Sequence, residues 1–563
     1  MCYDERENTA FLRGRLEERF WEAVMNEAER ICAPQRWRAL PRAVRAAFLC
    51  CFVAGYVAHL FAMTNLIPNS DGISRVADAQ QMTVSGRWFL HYASAWHGYV
   101  QSPAVIGFFA MLFLALAAAL TVRLLKIERP CVAGLCGALM AVFPSMAYTF
   151  LYLFTASAYC FGILLAVLAV WLVSRSRFGF LFAAPVLACA VGTYQAYLAV
   201  AAALSLMVVF LNALDGSGEP KRIVLDALRH LAFLLLGLGL YFLMLRIFLW
   251  AKNLTLLDYK GLNGAFTDLT FGGAVGLVAS AYREFFRYYF VPNSFAAYTT
   301  PLAVLGHAAL AAAGGWAFVR LAVRSRFQKR PAALALTLVL LALLPLAANL
   351  TVLMADAMPI TRYALVLPYL LALALTERAV RGGEAASPAQ KKTDVRSALR
   401  LTALCASALL VGVSFFVDNL AYTVSATAHR ATESFATRLV ERVEATPGYR
   451  NGMEIVVIGG FPSQVYSSQI EAFSIVTDYS NLSSSVIPLN KHVYYYLNDW
   501  LNVPWAEPDE ATMQAVSDSA AFQAMPLYPD DGSVVVEGDR VVVKLAPAYV
   551  PRQPYEIAYE NRR

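Results

Sequence analysis

The sequence predicts an α-helical polytopic membrane protein with about 11 transmembrane helices and a small extracytoplasmic α/β domain at its C-terminal end. Of its 563 residues, 59% are hydrophobic and only 15% are charged, against roughly 25% charged in soluble domains. Such an excess of apolar side chains would leave the surface of a soluble protein apolar. The apolar residues also fall in runs of about 20, the length that crosses a bilayer. Both observations exclude a water-soluble protein.

Residues 1–45 precede the first apolar run and form a polar leader. Its apolar side chains recur at helical spacing among charges: Phe11, Leu12, Leu16, Phe20, Trp21 and Val24. This spacing predicts an amphipathic helix lying on the membrane surface, and a solvated cytoplasmic helix is the alternative.

Eleven apolar runs follow within a transmembrane domain of residues 46–420. They lie near 46–67, 103–122, 131–151, 155–174, 178–192, 195–213, 231–250, 302–320, 334–354, 360–377 and 399–418. The fifth and sixth runs form one stretch too long for a single helix. We divide this stretch at Gly192-Thr193, which predicts a tight hairpin there.

The distribution of Lys and Arg predicts the orientation of these spans. With a cytoplasmic N-terminus, the inner loops carry 23 Lys and Arg residues and the outer loops carry 7. Cytoplasmic loops of membrane proteins are enriched in these residues. The net charge of +7 therefore requires no nucleic-acid partner, and an odd number of spans places the chain after about residue 419 outside the cell.

Residues 421–563 have the composition of a water-exposed domain. Residues 421–445 have the periodicity of an amphipathic helix, and Glu454–Gly460 has that of a buried strand. Val534–Leu545 predicts a hairpin that turns at Gly538-Asp539. The nine cysteines include no pair with zinc-binding spacing, so no cofactor is predicted, and a divalent metal stays open.

Two long outer loops, 68–102 (the first loop) and 251–301 (the second loop), are the places where function is expected. In the first loop, Asp71 has two interpretations: the cap of a following helix, or a carboxylate at the membrane surface that accepts a proton. If Ser74–Trp88 is a helix, Asp71, Arg75 and Asp78 share one face, and Arg75 is a partner that sets the pKa of the carboxylate.

Arginines and aromatic residues mark further candidate positions. In the second loop, Arg283 and Arg287 lie among aromatic residues, which is typical of an interfacial anchor. The alternative is a re-entrant helix whose arginines contact a lipid phosphate. Tyr194-Gln195 lies at the outer tip of the hairpin, and Arg362 precedes the tenth span at the depth of the lipid phosphates. Arg362 is the leading candidate for a phosphate contact.

Several short segments, in this order, resemble a known family of membrane enzymes. They are Asn69-Ser70-Asp71-Gly72, Gly86-Arg87-Trp88, Gly192-Thr193-Tyr194-Gln195-Ala196-Tyr197 and the outer tail. The order resembles the GT-C superfamily of glycosyltransferases, and within it the serotype-converting O-antigen glucosyltransferases of bacteria and their phages. The resemblance covers most of the membrane part of the chain.

The resemblance implies a GT-C-like fold in the inner (plasma) membrane and an inverting transfer of a sugar, with glucose expected. The donor would be a polyprenyl-phosphate sugar, and the acceptor a cell-surface glycan such as the O-antigen of lipopolysaccharide. Asp71 would be the base and Asp78 a second carboxylate. Substrate contacts would come from the following residues: Arg75, Arg87, Tyr194, Gln195, Arg283, Arg287 and Arg362.

Two other functions are compatible with the sequence: an O-antigen polymerase and a lipid or glycan transporter. A transporter requires a polar path through the middle of the membrane, and the centres of these spans hold almost no charges. A polymerase shares the large outer loops with arginines and is harder to distinguish from the sequence.

Overall fold

The computed structural model describes most of the chain. The described residues are 34–69, 71–73, 76–176, 178–215, 219–256, 270–292, 299–353, 358–381, 395–462, 476, 487 and 490–551. Most of the leader predicted as an amphipathic helix, residues 1–33, lies outside this set.

Helices dominate the described part of the chain, and a three-stranded sheet lies near its C-terminal end. The helices up to residue 251 are α1 Pro34–Ala39, α2 Arg42–Thr64, α3 Leu90–Ser94, α4 Pro103–Leu124, α5 Pro130–Val142, α6 Pro144–Leu151, α7 Leu153–Arg175, α8 Gly179–Thr193, α9 Tyr197–Asp215 and α10 Pro220–Ala251. The later elements are α11 Phe271–Phe290, α12 Pro301–Arg324, α13 Pro331–Ala348, α14 Leu367–Arg381, α15 Val395–Glu444, β1 Glu454–Ile458, α16 Asn490–Leu501, α17 Glu510–Asp518, α18 Ala520–Ala524, β2 Val534–Glu537 and β3 Arg540–Lys544.

The membrane-spanning architecture is confirmed. Within the described residues, 10 helices or helix pairs are long and apolar enough to cross a bilayer. The fifth predicted span, 178–192, corresponds to α8, an apolar helix of 15 residues, which is short for a complete crossing. Several of these helices begin with proline, whose fixed φ suits the first helical turn and whose missing N–H costs nothing there.

The break between the fifth and sixth spans lies where the sequence predicts it. Helix α8 ends at Thr193 and α9 begins at Tyr197. Any side chain at Gly192 would collide with the indole of Trp88, since a Cβ there would lie 2.6 Å from the ring. The hairpin tip is therefore packed directly against the first loop.

The helix predicted over Ser74–Trp88 is wrong for the part that the structure describes. Residues 76–82 are irregular, and only Thr83–Ser85 forms a 3-10 turn before α3. Their backbone pairs with the end of the same loop instead, through Asp78 N to Tyr99 O and Gln101 N to Val76 O, both 2.9 Å. The predicted alignment of Asp71 and Asp78 on one helical face is lost with the helix, and Arg75 lies outside the described residues.

Helix α11 occupies the later half of the second loop and includes Arg283 and Arg287. Its N-terminus is capped by Thr270, whose Oγ1 accepts a hydrogen bond from Gly273 N at 3.1 Å. Asn349, just beyond α13, donates from Nδ2 to the carbonyl oxygen of Ala281 at 3.0 Å. This bond ties α11 to the membrane helices.

One continuous helix, α15, connects the membrane helices to the C-terminal sheet. Its 50 residues span about 75 Å, more than twice the roughly 30 Å hydrocarbon core of a bilayer. The amphipathic helix predicted over 421–445 is thus a continuation of the last span. The α15 helix must extend well outside the membrane.

The C-terminal unit, residues 445–551, contains a sheet with strand order β1-β3-β2. The predicted strand and hairpin are confirmed: β1 pairs parallel to β3, and β2 pairs antiparallel to β3. Gly538 has φ +63°, a left-handed conformation that glycine adopts easily and that the tight turn requires. An apolar cluster of sheet, α16 and α15 residues encloses Ile73 of the first loop.

Candidate active site

Asp71 lies in a turn that is fixed on both sides. Asn69 accepts from Gly72 N at Oδ1 (2.7 Å) and donates from Nδ2 to the carbonyl oxygen of Leu151 (2.9 Å). Gln101 donates from Nε2 to the carbonyl oxygen of Gly72 at 3.1 Å. Residue 71 itself is exposed. The backbone is therefore held in place while the carboxylate stays accessible, and residues 76–82 offer no helix for it to cap.

Asp78 lies in the same loop and takes part in the loop's own structure. Its Oδ1 accepts a hydrogen bond from Gln80 N at 2.8 Å, and Gln80 has φ +56°. The side chain is half-buried. The Asp78 carboxylate thus stabilises a left-handed turn, whereas Asp71 is exposed.

Two of the segments that carry the family resemblance contact each other: Gly86-Arg87-Trp88 and Gly192-Thr193-Tyr194-Gln195-Ala196-Tyr197. Arg87 lies over the ring of Tyr194, with Cζ 4.8 Å from the ring centre, and Tyr194 stacks on Tyr159 at 4.6 Å. Gln195 donates from Nε2 to the carbonyl oxygen of Ser85 at 2.8 Å. The backbone N of Phe89 donates to the carbonyl oxygen of Gly192 at 2.9 Å. These contacts fix the position of the Arg87 guanidinium.

Arg362 is a buried arginine at the end of the loop before α14. It is 4% exposed, and its Nη2 lies 3.8 Å from Oε2 of Glu284 on α11. Burial lowers the pKa of Arg362 to about 9, against the opposing effect of Glu284, so the guanidinium stays charged at neutral pH. Arg287 reaches the other oxygen of Glu284 at 3.6 Å.

The two arginines predicted in the second loop have different surroundings. The Arg287 side chain is 54% exposed and shares Glu284 with Arg362. Arg283 is exposed and contacts Ser280 Oγ at 3.1 Å. The structure thus brings Arg287 and Arg362 together and leaves Arg283 on the exposed side of α11.

Helix α6 connects the Asp71 turn to the Arg362 loop. Near its start, Ser145 donates from Oγ to the carbonyl oxygen of Pro359 at 2.7 Å. At its end, the carbonyl oxygen of Leu151 accepts from Asn69. Leu151 lies six residues after Ser145, which corresponds to a rise of about 9 Å along a helix. The exposed carboxylate and the buried guanidinium are therefore attached to opposite ends of one short helix.

Asp418 is a residue that the sequence reasoning missed. It is 0% exposed on α15, and neither carboxylate oxygen has a hydrogen-bond partner among the described residues. Burial raises the pKa of Tyr288 on α11, and Arg362 and Asp418 shift that pKa in opposite directions, so both residues lie within electrostatic reach of Tyr288. The sequence did contain a signal for this residue, because Asp418 is an acidic residue within the last predicted apolar run, 399–418, where it was interpreted only as the end of the span.

A cavity of about 560 Å³ lies at the other end of the membrane helices, away from Asp71. It is bordered by Lys126, which follows α4, and by Asp215 at the end of α9. Asp215 pairs with Lys126 at 3.3 Å and with Arg378 at 3.0 Å. Charges satisfied in this way favour a structural network that joins the helix ends. In the part of the chain that the structure describes, no cluster of three or more His, Cys, Asp or Glu could hold a metal ion.

The fold and the site define a multi-pass helical membrane protein with a polar site built from its loops. The family model for glucosyl transferase GtrII matches residues 60–375, more than half of the chain. The chain belongs to this family of serotype-converting O-antigen glucosyltransferases, which is of GT-C type, and is therefore a glycosyltransferase. This confirms the resemblance drawn from the sequence. Neither a curated protein nor a solved structure matches the chain.

Proposed function

We propose that this glycosyltransferase moves a glucosyl group from a polyprenyl-phosphate donor to an O-antigen glycan, with inversion at the anomeric carbon. Membership in the GtrII family supports transfer to O-antigen over polymerisation or transport. The observation that carries the mechanism is the placement of an exposed carboxylate, Asp71, and a buried cation, Arg362, at the two ends of α6.

The reaction requires a base on one face of the anomeric carbon, where the acceptor hydroxyl attacks, and a positive charge on the opposite face, where the phosphate leaves. Asp71 accepts the proton of the acceptor hydroxyl as the hydroxyl oxygen bonds to the anomeric carbon. The bond from that carbon to the phosphate oxygen breaks, and the lipid phosphate leaves with an additional negative charge. Arg362 stabilises this charge, because a fixed cation attracts a negative charge more strongly in a site that holds little water.

Arg87 is assigned to the acceptor or donor hydroxyls, and contacts of Tyr194 and Gln195 hold the segment around it. Arg283 lies on the exposed side of α11, and Arg287, which shares Glu284 with Arg362, is also exposed; both are assigned to lipid phosphates at the membrane surface. Asp78 is assigned to shaping the first loop.

The proposed site lies on the outer face of the inner membrane. Helix α2 begins at the basic residues Arg42 and Arg45 and leads to Asp71 beyond its other end. The ion pairs of Lys126 and Arg378 lie on the basic side. The excess of basic residues in alternate loops supports a cytoplasmic location for that side.

The test is transfer of labelled glucose from a synthetic polyprenyl-phosphate glucose to O-antigen in membranes that contain the protein. Asp71→Asn keeps the size of the side chain and cannot take the proton, so kcat should fall about 10²–10⁴-fold. Asp78→Asn is the matched control and should cost less than about tenfold, within the effect of one lost hydrogen bond. Transfer by Asp71→Asn within threefold of wild type, at equal protein level, would refute the assignment. Retention of the donor's anomeric configuration in the product would refute inversion.

A further inference from the structure

The C-terminal unit reaches into the turn that carries Asp71. Ile73, two residues from Asp71, is 0% exposed. It belongs to the same apolar cluster as Val456 of β1 and Leu497 of α16, although it precedes them by more than 380 residues. A residue of the first loop is thus part of the core of the C-terminal unit.

A directed hydrogen bond accompanies this burial. Trp500, near the end of α16, donates from Nε1 to the carbonyl oxygen of Ile73 at 2.9 Å. Its ring lies against His429 of α15, with ring centres 6.3 Å apart, and stacks near Tyr496 at 6.5 Å. The indole is therefore braced by two elements of the C-terminal part while it holds the first loop.

The turn has separate attachments on its two sides. On the membrane side, Asn69 bonds to Leu151 and Gln101 bonds to Gly72. On the other side, Trp500 and the apolar cluster hold Ile73. Asp71 lies between these attachments, so the direction of its carboxylate depends on both. A displacement of about 1 Å at a reacting group can cost up to about 10²-fold in rate.

We infer that the C-terminal unit positions the base of the active site, and that Trp500 is a positioning residue that acts through the backbone of Ile73. This inference rests on the proposed role of Asp71. It makes the C-terminal unit part of the catalytic apparatus, although that unit lies beyond residues 60–375 that match the family model.

The test uses Trp500→Phe in the full-length protein in membranes. This change keeps an aromatic ring and removes the N–H donor. We expect kcat per folded molecule to fall about 5- to 50-fold, because one hydrogen bond is lost and the turn can shift. The KM for polyprenyl-phosphate glucose should stay within about twofold, because Arg362 contacts the donor phosphate. Trp505→Phe is the matched control: Trp505 lies in the same apolar cluster, and its loss should leave kcat per folded molecule within about twofold.

A double-mutant cycle separates positioning from a general structural effect. If Trp500 acts through Asp71, the loss caused by Trp500→Phe should disappear in an Asp71→Asn background. An equal loss in both backgrounds, or an unchanged kcat for Trp500→Phe while Asp71→Asn is strongly impaired, overturns the inference and leaves the proposed function intact. Full activity of Asp71→Asn overturns the proposed function itself. Should Trp500→Phe fail to fold, Ile73→Val, which removes one methyl group from the apolar attachment of the same turn, tests the positioning by the C-terminal unit in the same kind of cycle.

Discussion

Replacement of Arg362 by glutamine should impair both stability and transfer. At 3.8 Å and an effective dielectric constant near 20, the attraction between Arg362 and Glu284 is about 4 kcal/mol before desolvation is subtracted. Glu284 keeps Arg287 at 3.6 Å and is 19% exposed, so it is not left as an isolated buried charge. We therefore expect a loss of about 1–3 kcal/mol in the free energy of unfolding, below the 3–5 kcal/mol typical of breaking a fully buried pair.

The effect on catalysis should exceed the effect on stability. Loss of the cation that we propose as the partner of the leaving phosphate should lower kcat about 10²–10³-fold. Arg362→Lys keeps the charge but not the planar guanidinium, and we expect an intermediate loss of about tenfold. The assay is transfer of labelled glucose per folded molecule, together with the thermal midpoint in detergent. Arg287→Gln is the control for the thermal midpoint, because its exposed pair with Glu284 should contribute less than about 1 kcal/mol. The reasoning fails if Arg362→Gln transfers glucose within threefold of wild type.

Three other perturbations have definite expected outcomes. Gly86→Ala should lower both the thermal midpoint and the rate of transfer, since Gly86 has φ +80° and a Cβ would lie 2.5 Å from Gln195 Nε2. Normal stability of this variant would contradict the close packing of the segments around Gly86 and Gln195. Asp418→Asn should keep wild-type protein levels, because the Asp418 side chain is buried with no described partner and Asn is a neutral side chain of the same size, whereas Asp418→Lys should abolish folding. The cysteine of Asp531→Cys should react with an impermeant thiol reagent in intact spheroplasts, because the Asp531 side chain is 98% exposed. Reaction only after lysis would reverse the proposed orientation.

The spans could be predicted from the sequence because their cause is local. A helix needs about 20 apolar residues in a row to cross a bilayer, and the apolar runs of this sequence are about that long. The break at Gly192-Thr193 and the turn at Gly538-Asp539 are also local, since glycine marks close packing in one place and a left-handed turn in the other. These features are confirmed by the structure.

The features that the sequence did not reveal depend on contacts between distant residues. Residues 76–78 pair with Tyr99 and Gln101 across more than 20 residues, and this pairing replaces the helix that local spacing favoured. The burial of Asp418 depends on the packing of α15 against other helices, including α2. Trp500 and Ile73 are 427 residues apart. Of the candidate site, Asp71 and Arg362 could be proposed from their place beside spans, but their link through α6 could not.

Because α15 is one uninterrupted helix, it fixes the rotation of the C-terminal unit about the helix axis relative to the membrane helices. Asn419 donates from Nδ2 to the carbonyl oxygen of Ala58, and His429 lies beside Trp500, both on the same helix. Each residue added between them would turn everything beyond by about 100° and advance it by about 1.5 Å. A single insertion there would carry the indole of Trp500 around the helix axis and away from the first loop. Exchange of C-terminal units between related chains should therefore succeed only where the number of residues between these two positions is preserved.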